Sequence, residues 1–100
     1  MQTELNKELI SNVILTNKQI IKGFGVLSLA LFGSYTRNQQ DADSDIDFLV
    51  KFNVYKYRNY SGLRDFLQET FKRKIDLVCE NSLNEKIKSY ILADSLWLVN

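Results

Sequence analysis

The chain has 100 residues, 45% of them apolar and 25% charged, with a formal net charge of +1. That length suits one small core, and a near-neutral balance excludes bulk attraction to nucleic acid or to an acidic membrane. Histidine is absent and Cys79 is the single cysteine, which excludes Ser-His triads, His-ligated zinc and an intramolecular disulfide and fits a reducing cytoplasm.

In chain order, residues 1–100 read as one domain without repeat, linker or proline. The start, "MQTELNKELI", carries charges of both signs and no signal-peptide pattern. Residues 4–14 have helical periodicity, with Leu5, Leu9 and Val13 on one side. A second, short helix follows in "TNKQIIKGF", where Thr16 and Gln19 have capping-box spacing and Gly23 and Gly25 end it. "VLSLALF", residues 26–32, reads as a strand buried on both faces or nearly so, is too short to span a bilayer, and is broken by Gly33. Residues 45–52 form a second strand, with Ile46, Phe48, Val50 and Phe52 on one face and Asp45, Asp47 and Lys51 on the other. Residues 57–71 read as a helix with the stripe Leu63, Phe66, Leu67 and Phe71. In the third strand, residues 74–79, Ile75, Leu77 and Cys79 oppose Asp76. Ser82 and Glu85 have capping-box spacing before a helix expected to bury Ile87, Tyr90 and Ile91. The tail "SLWLV" reads as a short strand or an extended packed segment. The fold class is α+β: a small mixed sheet with helices packed on one face and carboxylates on the other.

Those carboxylates need a reason. Aspartate is unfavourable in strands, and three on one face repel one another unless a cation lies between them. Asp41 and Asp43 fit a solvated loop. A calcium loop starting at Asp41 fails, because Ile46 stands where glycine is required and Phe52 where glutamate is required. Asp45 and Asp47 project from one face about 6.5–7 Å apart, and Asp76 comes from a separate strand. Such carboxylates suit Mg2+, which takes a few carboxylates together with substrate phosphates and water. Two ions about 3.5–4 Å apart clamp the attacking and leaving oxygens of phosphoryl transfer. Gly33-Ser34, at a strand-to-helix turn, offers backbone N–H groups and a hydroxyl to a phosphate, and Arg37 lies one turn later.

Gly33-Ser34, ten residues, then Asp45-Ile46-Asp47 is the spacing GS-x10-D-x-D, with Asp76 on a later strand. It resembles the nucleotidyltransferase superfamily that includes DNA polymerase beta, and in particular the minimal nucleotidyltransferases, across "FGVLSLALFGSYTRNQQDADSDIDFLVKF", "LRDFLQETFKRKIDLV" and "NEKIKSYIL". The resemblance implies that Asp45, Asp47 and Asp76 bind Mg2+ and are catalytic, and that Gly33 and Ser34 hold nucleotide phosphates; Arg37 is placed to reach the same anion. It implies transfer of a nucleoside monophosphate, AMP from ATP, to a hydroxyl. Relatives often sit beside a helical HEPN toxin, and some act as antitoxins by placing AMP on one of its tyrosines, so the resemblance implies a hetero-oligomer, with nucleic acid not the direct partner. Many relatives read "GSYARGE" where this chain reads "GSYTRNQ"; Asn38 replaces a glycine and is the best non-glycine residue for a left-handed turn. The small size leaves a binding module, neutralising its partner by occlusion, as the alternative, and a metal-stabilised structural domain as a third reading.

Four weaker features remain. "YKYRNY", residues 55–60, reads as a loop and helix start rather than a stacking platform. Lys51 suits an ion pair or a phosphate contact equally. Trp97 suits core or an oligomer contact, and Cys79 suits a buried small hydrophobe.

Overall fold

The parallel pairing of two acid-bearing strands determines the layout of the sheet. The computed structural model describes residues 5–100. Its elements run α1 (Lys7–Thr16), α2 (Lys18–Lys22), β1 (Val26–Phe32), β2 (Ile46–Phe52), α3 (Tyr57–Phe71), β3 (Ile75–Cys79), α4 (Glu85–Leu92) and β4 (Leu96–Val99), with 3-10 turns at Gly33–Tyr35 and Glu80–Ser82. The strands form one sheet in the order β3-β2-β1-β4. β1 pairs antiparallel with β2 and β4, and β2 pairs parallel with β3. A parallel pair needs a crossover connection, which α3 provides.

Alternation along the strands sends Leu29, Leu31, Phe48, Val50, Phe52 and Leu77 to one face. There they meet Ile10 and Ile14 of α1, Ile21 of α2, and Leu63 and Leu67 of α3. Phe66 and Phe71 pack half-buried beside them, so the stripe read for α3 is the one used. Gly62 is where Phe24 presses against α3: a β-carbon there would come within 2.9 Å of the Phe24 ring. The second face is apolar at mid-sheet, where Ala30 and Leu49 are fully buried opposite one another.

Several local expectations are corrected. The first residue of the helix expected over 4–14 lies outside the described residues. That helix begins later, because the Asn6 side chain accepts from the Leu9 N–H, and it buries Ile10 and Ile14 rather than Leu9 and Val13. Both residue pairs are apolar, so periodicity located the stripe but not its centre line. Thr16 does not cap α2: its hydroxyl donates to the Asn12 carbonyl, four residues back, and Asn17 takes the junction. Ser82 likewise closes a 3-10 turn onto the Cys79 carbonyl, and Asn84 caps α4 by accepting from the Ile87 N–H. Asp45 and Lys74 stand just before their strands.

The largest correction concerns α4. Ile87 and Tyr90, expected to be buried, are 48% and 83% exposed. The tail is a true strand, β4, but Trp97 is 41% exposed rather than core. Cys79 is half-buried. Lys51 is exposed and makes no ion pair among the described residues. No helix is long and apolar enough to cross a membrane among the described residues.

Two substitutions separate the core from α4. Leu67→Ala is expected to lower the unfolding free energy by about 2–5 kcal/mol through a core cavity. Tyr90→Ala is expected to change it by no more than about 0.5 kcal/mol, as at an ordinary surface position. Urea denaturation of both variants checks the contrast.

Candidate active site

Register brings the acids together. In the parallel β2/β3 ladder Asp47 lies opposite Asp76, so their side chains leave the same face side by side. The two carboxyls are within hydrogen-bonding reach. Burial first, then the Asp76 charge and hydrogen bond, then the Asp45 charge, push the Asp47 carboxyl up from 3.8 to about 6, while Arg37 pulls it down. Asp45 is thus an electrostatic neighbour of the pair, and its Oδ2 lies 3.9 Å from Lys74 Nζ.

The Gly-Ser turn is pressed against this pair. Phe32, the last residue of β1, is the register partner of Asp47. Gly33 follows with φ +80°, a left-handed conformation that glycine takes without a steric penalty. A β-carbon at residue 33 would overlap Asp47 Oδ2. Glycine is therefore required both by the turn and by the close approach of the acid. Ser34 is half-buried in the 3-10 turn that starts there. The leading N–H groups of such a turn have no partner inside it.

The remainder of "GSYTRNQ" holds the turn. Thr36 donates its hydroxyl to the Gly33 carbonyl at 2.7 Å and to the Asp94 carbonyl at 3.1 Å. Asn38 adopts φ 55°, the left-handed conformation expected of it. The Arg37 guanidinium is ion-paired with Asp94, and its Nε donates to Gln39 Oε1 at 3.0 Å. It is therefore engaged with Asp94, at the edge of the turn.

Sequence reasoning missed Arg73 and Asp94. Arg73 Nη1 donates to the Ala42 carbonyl at 2.7 Å and to the Tyr35 hydroxyl at 3.3 Å. One side chain next to β3 thereby ties the acidic loop to the Gly-Ser turn. Nothing in "KRKIDLV" separates Arg73 from its two lysine neighbours except a guanidinium's ability to serve two acceptors.

The donor set fits Mg2+. Asp47 and Asp76 would provide hard oxygen ligands, and a cation would relieve their mutual repulsion. Among the described residues, no three His, Cys, Asp or Glu side chains converge as a ready-made metal cage. Mg2+ rarely uses one; one or two carboxylates completed by substrate phosphates are its usual protein site.

The raised Asp47 pKa has a definite sign. Between about pH 4 and pH 6 the folded chain keeps a proton that the unfolded chain has lost. The stabilising contribution of this group therefore falls as pH rises through that window and is least favourable above it. In thermal melts with chelator present, Asp47→Asn is expected to gain stability over wild type as pH rises from 4 to 6.5. Parallel curves would show that the Asp47 carboxyl is not raised in the folded chain.

The geometry has known counterparts. The nucleotidyltransferase domain family model matches residues 10–98. A Methanocaldococcus jannaschii relative with the provisional name protein adenylyltransferase MJ0128 is 37% identical over 89% of this chain and 94% of its own length. Protein adenylyltransferase MntA of Thermococcus cleftensis is 29% identical over 92% of this chain and 94% of its own. A solved structure described provisionally as a minimal nucleotidyltransferase superimposes with a TM-score of 0.82 at 21% identity, covering 95% of this chain and 98% of that one. A Shewanella oneidensis MNT antitoxin in complex with a tri-AMPylated HEPN toxin gives 0.67 at 21% identity, over 91% and 70%. A toxin–antitoxin structure with AMP-PNP gives 0.68 at 23%, over 94% and 73%. These structural likenesses concern the fold. The family match and the identity to MJ0128 decide membership: the chain belongs to the nucleotidyltransferase domain family.

Proposed function

We propose that this protein transfers AMP from ATP to a tyrosine hydroxyl of a helical HEPN-type toxin and thereby acts as its antitoxin, in the cytoplasm. The observation that carries the reading is the close approach of Gly33 to Asp47, whose register partner is Asp76; it supports a phosphate on the turn beside a metal held by the two acids. Support for the acceptor comes from relatives named protein adenylyltransferases and from the fold shared with an MNT antitoxin bound to an AMPylated HEPN toxin.

Gly33 and Ser34 receive the triphosphate: the turn's N–H groups and the Ser34 hydroxyl donate to phosphate oxygens. Asp47 and Asp76, together with Asp45, would hold Mg2+, as two ions. Mg2+ supplies neutralisation of the phosphate charge and polarisation of the P–O bonds. Asp76, the exposed member of the pair, accepts the proton of the incoming hydroxyl. The hydroxyl oxygen bonds to the α-phosphorus, the bond from that phosphorus to the bridging oxygen breaks, and pyrophosphate leaves. Positioning and charge neutralisation provide most of the acceleration. Arg37 acts from its ion pair with Asp94, holding the turn's edge.

Incubation with ATP labelled in its α-phosphate, Mg2+ and a helical HEPN-type partner toxin should label that toxin on tyrosine. Asp47→Asn and Asp76→Asn are each expected to lower transfer by about a hundredfold or more with the fold retained, as judged by circular dichroism. If both variants still neutralise the toxin, neutralisation is by occlusion and the enzymatic reading of the antitoxin fails.

A further inference from the structure

Asp45, the electrostatic neighbour of Asp47 and Asp76, is not held by the sheet as they are. Pairing of β2 with β3 begins at Ile46, and its pairing with β1 ends at Asp47. Asp45 therefore takes its position from the residues on either side of it, and both sides are fastened to the short segment between α3 and β3. On the C-terminal side the Ile46 N–H donates to the Lys74 carbonyl at 3.1 Å.

On the N-terminal side, residues 41–44 close on themselves. The Asp41 N–H donates to Ser44 Oγ at 2.9 Å, the Asp43 N–H to Asp41 Oδ1 at 2.9 Å, and the Ser44 N–H to the Asp41 carbonyl at 3.2 Å. The Asp41 carboxylate is thus engaged within the turn, which moves as a unit. Arg73 grips that unit at the Ala42 carbonyl and anchors it to the hydroxyl of Tyr35, whose ring is buried in the core. Arg73 itself is confined. Lys72, just before it, has φ 54°, a left-handed conformation uncommon for a residue with a side chain, and its N–H caps α3 by donating to the Gln68 carbonyl at 2.8 Å. β3 begins two residues after Arg73, at Ile75.

We infer that Arg73 is a positioning residue for Asp45: by holding the 41–44 turn against Tyr35, it keeps the Asp45 carboxylate in the acid cluster where a divalent cation would bind. The inference rests on the metal-dependent transfer proposed above. Arg73 acts without touching substrate, since its Nη1 is directed at two protein oxygens. Groups that orient a metal ligand change metal affinity or activity by about 10–100-fold when removed.

Two measurements on the full chain test this. In the metal-free protein, amide relaxation is expected to show Ala42, Asp43, Ser44 and Asp45 losing order in Arg73→Ala, from order parameters of about 0.85 to below about 0.6, with Phe48, Leu49 and Val50 unchanged. In the transfer reaction, Arg73→Ala is expected to lower the rate by about 10–100-fold in the wild-type background, and by less than about twofold in an Asp45→Asn background, because the two changes remove the same contribution. Arg73→Met, which keeps an unbranched stem and loses the donors, is expected to match Arg73→Ala and replaces it if the alanine variant does not fold. A 42–45 segment that stays ordered without Arg73 overturns the inference, and so does a loss of order that spreads through β2. A full loss repeated in the Asp45→Asn background also overturns it, because Arg73 then acts on substrate directly. If wild type transfers no AMP to the partner toxin, the proposed function fails, and the relaxation measurement still decides whether Arg73 holds Asp45.

Discussion

Two like charges held side by side at the end of a parallel strand pair are the constraint on which the rest of this molecule depends. An isolated β2/β3 ladder would gain nothing from placing Asp47 opposite Asp76. The pairing raises the cost of ionising Asp47, and the register that enforces it is fixed by Phe48, Val50 and Leu77 in the core. A one-residue slip would bury the acids and expose the core, so the repulsion cannot be relieved by sliding. It can be relieved by a proton or by a cation, and the absence of a side chain at Gly33 lets the turn lie against the Asp47 carboxylate.

Much of this was legible in the sequence because period-2 alternation is a strong signal. The faces of "DIDFLVKF" and "KIDLVC", the stripe of α3 and the break at Gly33 all follow from side-chain type alone. The left-handed turn at Asn38 was legible for a similar reason: few residues tolerate it. The register that sets Asp47 against Asp76 was only half legible. Alternation assigns a face, but neighbouring strands and their relative offset emerge from packing.

Other features were hidden because the deciding interactions either compete locally or join residues far apart in the chain. Thr16 and Ser82 had cap spacing, yet each hydroxyl found a nearer carbonyl, and asparagines took the junction and the cap. Arg37 was read from spacing as a phosphate ligand, and its ion pair with Asp94 spans 57 residues that no local pattern connects. Arg73 was invisible for the same reason, since its acceptors at Ala42 and Tyr35 are distant in sequence. In α4, helical periodicity was taken to mean a core face. Here Ile87 and Tyr90 are largely exposed, and periodicity alone cannot tell a buried face from an exposed one.

The central claim is that Asp47 and Asp76 share a divalent ion with a nucleotide whose phosphates rest on Gly33 and Ser34. A crystal structure with Mg2+ and a non-hydrolysable ATP analogue measures this most directly. The account requires a cation coordinated by both carboxylates and by phosphate oxygens, with the turn's N–H groups donating to the phosphate chain. A nucleotide bound away from the turn, or a cation that leaves Asp47 and Asp76 uncoordinated, would contradict it.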